Sequence, residues 1–209
     1  MRDIGKNPIA NIRKVLPKLT RRTYFYAKRR EFPMPEKFRS RIMEEADVRR
    51  ALARIAHEII ERNGKEQELC LLGVERRGAP LAALIAANIE AFSDLKVHLG
   101  TVDITYFRDD IEVKPHTPCL PNYSVEGKTV VLVDDVIYTG RTARAALEAV
   151  LAMGRPSRIQ LAVLIDRGHR ELPIRGDYVG KNVPTARSEL IKVHIPPYDE
   201  NVNVELYEN

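Results

Sequence analysis

Two adjacent acids, a glycine and two threonines lie close together in the stretch VVLVDDVIYTGRTARAALEAV, residues 130–150. Asp134 and Asp135 follow four apolar residues, and the turn Thr139-Gly140-Arg141-Thr142 precedes a run typical of a helix. Free backbone N–H groups and the dipole at a helix N-terminus favour a phosphate, and a glycine lets the backbone approach it closely. Carboxylates accept hydrogen bonds from hydroxyl groups. The stretch therefore predicts a sugar-phosphate site, with the turn on the phosphate and the acids on adjacent ribose hydroxyls.

Other interpretations of this stretch can be compared with that one. It lacks the G-x-x-x-x-G-K-[ST] spacing of a P-loop and the G-x-G-x-x-G spacing of a dinucleotide-binding turn. A purely structural interpretation makes Asp134 and Asp135 ordinary loop acids and Thr139 a helix cap. We favour the ligand interpretation because both acids follow a buried strand.

The elements around the stretch predict an α/β fold. Val48, Leu52, Ile55 and Ile59 recur at helical spacing before Gly64, which indicates an amphipathic helix. The predicted strands are ELCLLGV, KVHLGTVDITY, TVVLVDD and SRIQLAVLI, and the helices between them are APLAALIAANIEAF and RTARAALEAVLAMG. Continuous apolar strands that alternate with helices indicate a parallel sheet covered on both faces. Ligands of such sheets bind beyond the carboxyl ends of the strands, where the two acids fall.

Two segments do not fit this alternation. Residues 108–128 contain the adjacent acids Asp109 and Asp110, three prolines and little apolar periodicity, which is typical of a mobile loop that serves as a lid. Residues 166–189 are polar and punctuated by glycine, and they follow the last clear core strand. Both segments are candidates to carry function.

Composition restricts the class of protein. With 209 residues and 44% hydrophobic residues, the chain is expected to form one globular domain, or one domain with an extension. It has no apolar run of the roughly 20 residues that cross a bilayer and no signal-peptide pattern, so we expect a soluble protein. Cys70 and Cys119 have no metal-ligand spacing and form no disulfide framework, which favours a reducing cytoplasm.

The positive charge is concentrated at the N-terminus. Residues 1–41 hold 13 Lys or Arg and 3 Asp or Glu, a balance of +10 in a chain of net charge +5, so residues 42–209 carry −5. Such an extension could bind nucleic acid by neutralising phosphates. It could equally be a solubilising tail, a fusion, or the result of a start codon placed too early, with Met34 and Met43 as alternative starts. We treat residues 1–41 as a basic extension and residues 42–209 as the functional domain.

The sequence resembles a known family at these same motifs. VVLVDDVIYTGRT resembles the phosphoribosyl pyrophosphate (PRPP) signature of type I phosphoribosyltransferases. Many of these enzymes have a small residue at the position of Tyr138. A tyrosine there resembles the subfamily of bifunctional pyrimidine-operon regulators that are also uracil phosphoribosyltransferases. RRALARIAHEIIERN, LLGVERRGAPLA, VDITYFRDDI and DRGHRELPIRGDYVGKNVPTARSE resemble that subfamily in order and spacing. The likeness begins near Ile42. It implies a type I phosphoribosyltransferase fold, with a mostly parallel central sheet, a small hood and a flexible lid loop.

The resemblance implies that ribose 5-phosphate moves from PRPP to uracil, giving UMP and pyrophosphate, with Mg²⁺ bound by the pyrophosphate. Asp134 and Asp135 would be the catalytic acids, near the positive charge that develops on the ribose. The residues implied to bind the ribose and its 5′-phosphate are Asp134, Asp135, Val136, Ile137, Tyr138, Thr139, Gly140, Arg141 and Thr142. Pyrophosphate would be bound by Arg76, Arg77 and Gly78, although two arginines at a solvated strand end are the structural alternative.

The resemblance also implies roles outside the signature. Arg108 would lie in the lid, and residues 166–189 would form the hood that reads the base. Arg167 would approach the nucleotide, and Ile191 would lie near the same site. His169 would be an orienting or a surface histidine and not a general acid, since the reaction needs no general acid. The family commonly forms dimers or larger assemblies, so a homo-oligomer is expected.

The resembling regulators also bind pyrimidine-operon leader mRNA when UMP or UTP is present. A basic stripe on the first helix and in the hood would contact that RNA here. Its members are Arg50, Arg54, His57, Arg62, Arg170, Arg175 and Lys181. Ala53 departs from the subfamily, which has a threonine hydroxyl there. A solvated helix face is the alternative interpretation. A regulator that senses nucleotides with little catalysis, or a purine phosphoribosyltransferase with a roomier base pocket, are the alternative functions.

Overall fold

The computed structural model describes residues 36–110 and 124–208. Most of the predicted basic extension, including Met34, and the middle of the predicted lid, including Cys119, lie outside the described residues. The strands are β1 (Lys37–Met43), β2 (Glu68–Val74), β3 (Lys96–Val102), β4 (Thr129–Ile137), β5 (Arg158–Asp166), β6 (Tyr178–Asn182), β7 (Glu189–His194) and β8 (Asn203–Glu208). The helices are α1 (Glu45–Asn63), α2 (Gly78–Phe92) and α3 (Arg141–Ala152), with a 3₁₀ turn at Thr105–Phe107.

The main sheet has five parallel strands in the order β3-β2-β4-β5-β6. Its central strands are apolar on both faces because each face is covered by helices. On one face, α1 and α2 bury residues such as Leu52, Ile55 and Leu81 against the sheet. On the other face, the small residues of α3 pack against Leu72 and Leu132. The predicted parallel sheet with helices on both faces is therefore confirmed. None of the described helices is both long and apolar enough to cross a membrane.

A second, antiparallel sheet has three strands in the order β1-β8-β7. In β1, Lys37 pairs with Glu208 and Met43 with Val204. The boundary predicted between residues 41 and 42 therefore falls inside a strand, and residues 37–41 pack with the end of the chain. The sequence KFRSRIM shows no apolar run, because most of this edge strand is exposed.

The main sheet also extends further than predicted. Residues 166–189 were expected to follow the last core strand, yet they contain β6, which pairs in parallel with β5 from Ala162↔Tyr178 to Asp166↔Asn182. The strand has five residues, YVGKN, of which only Tyr178 is buried. An edge strand this short and polar has no recognisable apolar pattern, which is why the prediction missed it.

Candidate functional site

The two acids lie where β4 loses one neighbour. β2 pairs with β4 only as far as Gly73↔Val133, whereas β5 follows β4 on to Ile137↔Asp166. Asp134 and Asp135 are therefore inside β4, two residues before its end, beside the point where β2 turns away. Asp134 is only 7% exposed. This is the carboxyl edge of the parallel sheet, as the sequence predicted.

The predicted pyrophosphate turn lies against these acids. Arg76 and Arg77 follow β2, and α2 begins at Gly78. A Cβ atom at Gly78 would lie 2.3 Å from the carbonyl oxygen of Val133, so only glycine lets α2 pack this closely on β4. The peptide bond between Glu75 and Arg76 is cis. The structure thus brings Arg77 and the acidic pair to one place, although they are about sixty positions apart in the chain.

Burial controls the ionisation of the acidic pair. It raises the pKa of Asp134 well above the usual range, and the neighbouring charge of Asp135 raises it further. Burial also raises the pKa of Asp135, while the Val136 N–H and the charge of Arg77 lower it. The free site therefore favours the protonated form of these acids. A positive charge that develops beside them would favour the ionised form, so the pair is suited to stabilise a cationic centre.

The turn after β4 has the geometry of an anion site. Gly140 has φ +94°, which a side chain would strain, and α3 begins at the next residue. Gly140, the residue that precedes α3, has no side chain to cap the helix, and the first N–H of the helix, that of Arg141, donates to the hydroxyl of Thr139 at 3.4 Å. The turn and β5 enclose a cavity of about 100 Å³. The cavity is lined by Asp134, Val136, Ile137, Tyr138, Thr139, Gly140, Thr142, Ala143, Leu161 and Val163.

The segment after β5 holds this turn in place. The backbone N–H groups of Glu171 and Leu172 both donate to the carbonyl of Thr139, at 2.9 and 3.0 Å. The Cβ of Leu172 lies 3.4 Å from where a Cβ of Gly140 would be. His169 is exposed, as expected, and its ring lies edge-on to Tyr138 with 5.8 Å between the centroids. The turn is therefore enclosed by the predicted hood segment.

Arg167 joins the hood to the turn. Its side chain is buried, and it donates to the hydroxyl of Thr185 at 3.0 Å and to the carbonyls of Ala186 and Glu189 at 3.2 and 2.6 Å. Its guanidinium carbon lies 4.0 Å from the centroid of the Tyr138 ring. Arg167 thus lies beside Tyr138 of the signature, and its approach to the nucleotide stays a prediction.

Ile191 has a different environment. It lies in β7, is 6% exposed, and belongs to the same hydrophobic cluster as Val133. This places its side chain in the core. A direct role beside the base stays a prediction.

The beginning of the predicted lid contacts α3. Arg108 pairs with Asp110, and Asp109 accepts a hydrogen bond from Arg141 at 2.8 Å. Arg144 donates to the carbonyl of Phe107 at 2.9 Å. The residues on either side of Arg108 therefore contact the first turn of α3. Residues 111–123 of the predicted lid lie outside the described residues.

Asp199 is a site residue that the sequence did not indicate. Its Oδ2 lies 3.2 Å from Nη2 of Arg77, and it also accepts the backbone N–H of Ile195 at 3.0 Å. His194 Nδ1 lies 3.1 Å from the other oxygen of Asp199, and the far ring nitrogen lies 3.5 Å from Glu205. These contacts lower the pKa of Asp199 despite its burial, which raises it. Arg77 is therefore held from the loop between β7 and β8, by a residue that no local motif marks.

The residues predicted to contact RNA lie between α1 and β6. Arg54 donates to the carbonyls of Val179 and Gly180, at 3.0 and 2.6 Å, and Lys181 donates to the carbonyl of Ile42 at 3.2 Å. They border a groove of about 300 Å³. The groove is lined by Met43, Asp47, Arg50, Ala51, Arg54, Gly180 and Lys181.

The other predicted RNA residues do not line this groove. Arg62 pairs with Asp177 at 2.9 Å, and His57 stacks on Phe92 with 4.3 Å between the centroids. Arg175 is exposed. Exposed ion pairs contribute about 0–1 kcal/mol, so a phosphate can compete for such cations. Arg170 does not belong to this surface, because its guanidinium is turned towards the signature turn.

No group of three or more His, Cys, Asp or Glu side chains in residues 36–110 and 124–208 is arranged to hold a metal ion. Mg²⁺ usually keeps several waters and binds through one or two carboxylates together with substrate phosphates. The two acids of β4 and the adjacent anion-binding turns fit that mode of binding.

Comparison with known proteins places these features in context. The phosphoribosyl transferase domain family matches residues 40–200. A bifunctional protein PyrR of Clostridium novyi is 54% identical over 175 residues, covering 82% of this chain and 98% of that protein. A bifunctional protein PyrR of Roseiflexus is 54% identical over 166 residues, covering 78% of this chain and 91% of its own. The hypoxanthine phosphoribosyl transferase of Trypanosoma cruzi superposes with a TM-score of 0.67 at 20% identity, over 86% of this chain and 95% of that one.

Proposed function

The chain belongs to the phosphoribosyl transferase domain family, and within it to the bifunctional PyrR proteins; from this premise we propose that it is a uracil phosphoribosyltransferase that also regulates pyrimidine genes. It would transfer the 5-phosphoribosyl group of PRPP to N1 of uracil. The bond from C1′ to the pyrophosphate oxygen breaks, the bond from C1′ to N1 forms, and the N1 proton is released. The observation that carries this proposal is the meeting of Asp134, Asp135 and Arg77 beside the Gly140 turn.

The turn at residues 139–142 would bind the 5′-phosphate. The helix N-terminus, where the N-cap residue Gly140 has no side-chain acceptor, and the close approach at Gly140 support that role. Asp134 and Asp135 would accept hydrogen bonds from the ribose hydroxyls. Since a ribosyl centre gains positive charge as pyrophosphate leaves, the buried acids would stabilise the transition state more than the ground state. This arrangement needs no protein nucleophile.

Arg76, Arg77 and the N-terminus of α2 would bind the departing pyrophosphate. Mg²⁺ bound by PRPP would neutralise charge on the pyrophosphate. The hood would bind uracil, whose O2, N3–H and O4 can pair with backbone groups of residues 166–189, beside Arg167 and Tyr138. Arg108 would act from the lid. PRPP and uracil are cytoplasmic metabolites, so we place the protein in the cytoplasm. From the family resemblance we also propose a homo-oligomer.

The regulatory activity would use the groove between α1 and β6. Arg50, Arg54 and Lys181 surround a concave surface large enough for an unpaired base, with cations at its margin for the phosphate backbone. Leader mRNA of pyrimidine genes would bind there when UMP or UTP occupies the nucleotide site. Asp47 inside the groove and the balance of −5 on residues 42–209 would limit non-specific attraction.

The test is to incubate the protein with PRPP, uracil and Mg²⁺ and to measure UMP and pyrophosphate. We expect both products in equal amounts, and a strong loss of both in the Asp134→Asn/Asp135→Asn double variant. A folded protein that forms no UMP would disprove the enzymatic part. Hypoxanthine in competition with uracil is the control for base class, because preference for hypoxanthine would identify a purine enzyme instead. Gel-shift titration of leader RNA with and without UMP tests the regulatory part, and UMP-independent binding would contradict it.

A further inference from the structure

All three guanidinium nitrogens of Arg170 donate hydrogen bonds, four of them to backbone carbonyls around the signature turn and one to a carboxylate. Nη1 donates to the carbonyls of Tyr138 at 2.6 Å, Gly168 at 3.2 Å and Ile137 at 3.4 Å. Nε donates to the carbonyl of Ile174 at 2.9 Å, and Nη2 pairs with the carboxylate of Asp166. The side chain is only 17% exposed. A part-buried guanidinium with this many acceptors is a structural centre for the segments that it joins.

The acceptors belong to three segments that meet at the site. The carbonyls of Ile137 and Tyr138 are at the end of β4, where the backbone leaves the sheet for the Gly140 turn. Asp166 ends β5, and its Oδ1 also accepts the backbone N–H of Gly168 at 2.9 Å. Ile174 lies in the hood segment, 3.7 Å from the position of a Cβ at Gly140. Arg170 therefore ties the end of β4, the end of β5 and the hood segment to one another.

Carbonyl groups at the end of a strand need partners once they leave the ladder. The backbone N–H of Arg167 supplies one, since it donates to Ile137 at 3.2 Å. The carbonyl of Tyr138, the residue before the turn, receives the short hydrogen bond from Arg170. The orientation of this peptide decides where the next N–H groups point, and those are the groups that would meet the anion. Losing the guanidinium would leave the carbonyl without this donor and the turn less ordered.

We propose that Arg170 is a positioning residue for the 5′-phosphate, which holds the residue 138–142 turn in its binding conformation through the Tyr138 carbonyl. This inference rests on the proposed function for the identity of the ligand, but the bracing of the turn does not depend on it. The charge of Arg170 is paired with Asp166, so we expect no direct contact with RNA phosphates. Its effect on RNA is indirect, through the UMP phosphate that occupies the same turn.

The test compares Arg170→Gln and Arg170→Lys with the unmodified protein. Lysine keeps the charge but cannot form the planar fork that reaches several carbonyls, so a positioning role is not rescued by it, whereas a purely electrostatic role is. Arg158→Gln is the matched control, because Arg158 is an exposed arginine at the other end of β5. The readouts are amide hydrogen exchange of peptides covering residues 167–172 without ligand, and KM for PRPP against kcat.

We expect faster exchange of residues 167–172 in both Arg170 variants, because the amides of Arg167, Glu171 and Leu172 donate to the carbonyls of Ile137 and Thr139. We also expect a KM for PRPP raised about tenfold or more, as for loss of a hydrogen bond to a charged group, with a smaller change in kcat because the binding lost is shared by ground and transition states. Unchanged exchange and unchanged KM in Arg170→Gln, or full rescue by lysine, would overturn the inference. If Arg170→Gln does not fold, Arg170→Lys carries the test. If the unmodified protein makes no UMP, the proposed function fails, while the exchange measurement still decides whether Arg170 braces the turn.

Discussion

Arg167 lies over the ring of Tyr138, with its guanidinium carbon 4.0 Å from the ring centroid. The two residues come from different parts of the site, since Tyr138 precedes the Gly140 turn and Arg167 begins the hood segment. Burial lowers the pKa of Arg167, while its interactions with Tyr138 and Glu189 raise it. This contact is one of several that join the hood to the turn.

This contact predicts that the ring of Tyr138, and not its hydroxyl, supports the base pocket. Tyr138→Ala removes the ring, and cation–π contacts contribute about 0.5–2 kcal/mol, so we expect KM for uracil to rise by roughly 2- to 30-fold. Tyr138→Phe keeps the ring and should stay within about twofold of the unmodified protein. Steady-state kinetics with uracil as the varied substrate measure both values. Equal impairment in the two variants would assign the role to the hydroxyl instead.

Asp134→Asn is expected to increase stability while it removes activity. Burial raises the pKa of Asp134 in the folded protein, so the folded state holds the proton more tightly than the unfolded chain does. Stability is therefore lost as pH rises from the ordinary pKa of an aspartate through the raised one, and the cost persists at neutral pH. Asparagine avoids this cost and keeps the acceptor for the Asp135 N–H.

Thermal unfolding at pH 4 and pH 8 measures this effect. The gain in melting temperature of Asp134→Asn should be larger at pH 8, and about 2–4 °C corresponds to 1 kcal/mol in a chain of this size. The kcat should fall by roughly 10²- to 10³-fold, as when a group that stabilises transition-state charge is lost. A variant less stable than the unmodified protein at pH 8 would contradict the assignment of Asp134 as a buried, costly charge.

Arg77→Gln should shift the pH dependence of the reaction. The charge of Arg77 lowers the pKa of Asp135, so its removal raises that pKa. Because the ionised acid is the form that stabilises positive charge, the acidic limb of kcat/KM should move to higher pH. KM for PRPP should rise about tenfold or more through the lost hydrogen bonds to pyrophosphate. Arg158→Gln removes a distant exposed charge and should leave the limb in place. A limb that moves to lower pH would rule out this coupling.

Arg50→Gln and Lys181→Gln should weaken RNA binding without changing which sequence is preferred. Both side chains border the groove between α1 and β6, where they would neutralise phosphates. Each lost phosphate contact should reduce the slope of log affinity against log salt by about 1. Gel shifts in the presence of UMP at several salt concentrations measure the slope, with Arg158→Gln as the control. An unchanged slope in both variants would place the RNA elsewhere.

Ala53→Thr tests the departure from the subfamily in the same region. Ala53 is half-buried on α1, next to Arg54. If the added hydroxyl hydrogen-bonds to RNA, affinity should increase by roughly 2- to 10-fold, the value of one hydrogen bond of about 0.5–1.5 kcal/mol. Ala53→Val is the matched control, because it has the same shape and β-branching without the hydroxyl. A gain shared by both variants would come from the helix surface and not from a hydrogen bond.

The local parts of this site were predictable from the chain. The predicted strand ELCLLGV is β2, and all of its residues except Glu68 are buried. Such a strand is recognisable from the sequence because burial on both faces requires a continuous apolar run. The Gly140 turn was equally readable, since the left-handed conformation, the helix start and the preceding strand are all properties of consecutive residues. The position of Asp134 and Asp135 at the carboxyl edge followed from the rule for parallel sheets.

The contacts between distant polar groups were decided by the tertiary structure alone. Arg77 meets Asp199 across 122 positions, and Arg170 meets the carbonyl of Tyr138 across 32. β1 pairs with β8 although its exposed residues show no strand pattern. Periodicity reports which side of an element is buried, because burial acts on every residue of that side. It carries no information on which distant polar partner a side chain reaches, since that depends on where the folded chain returns.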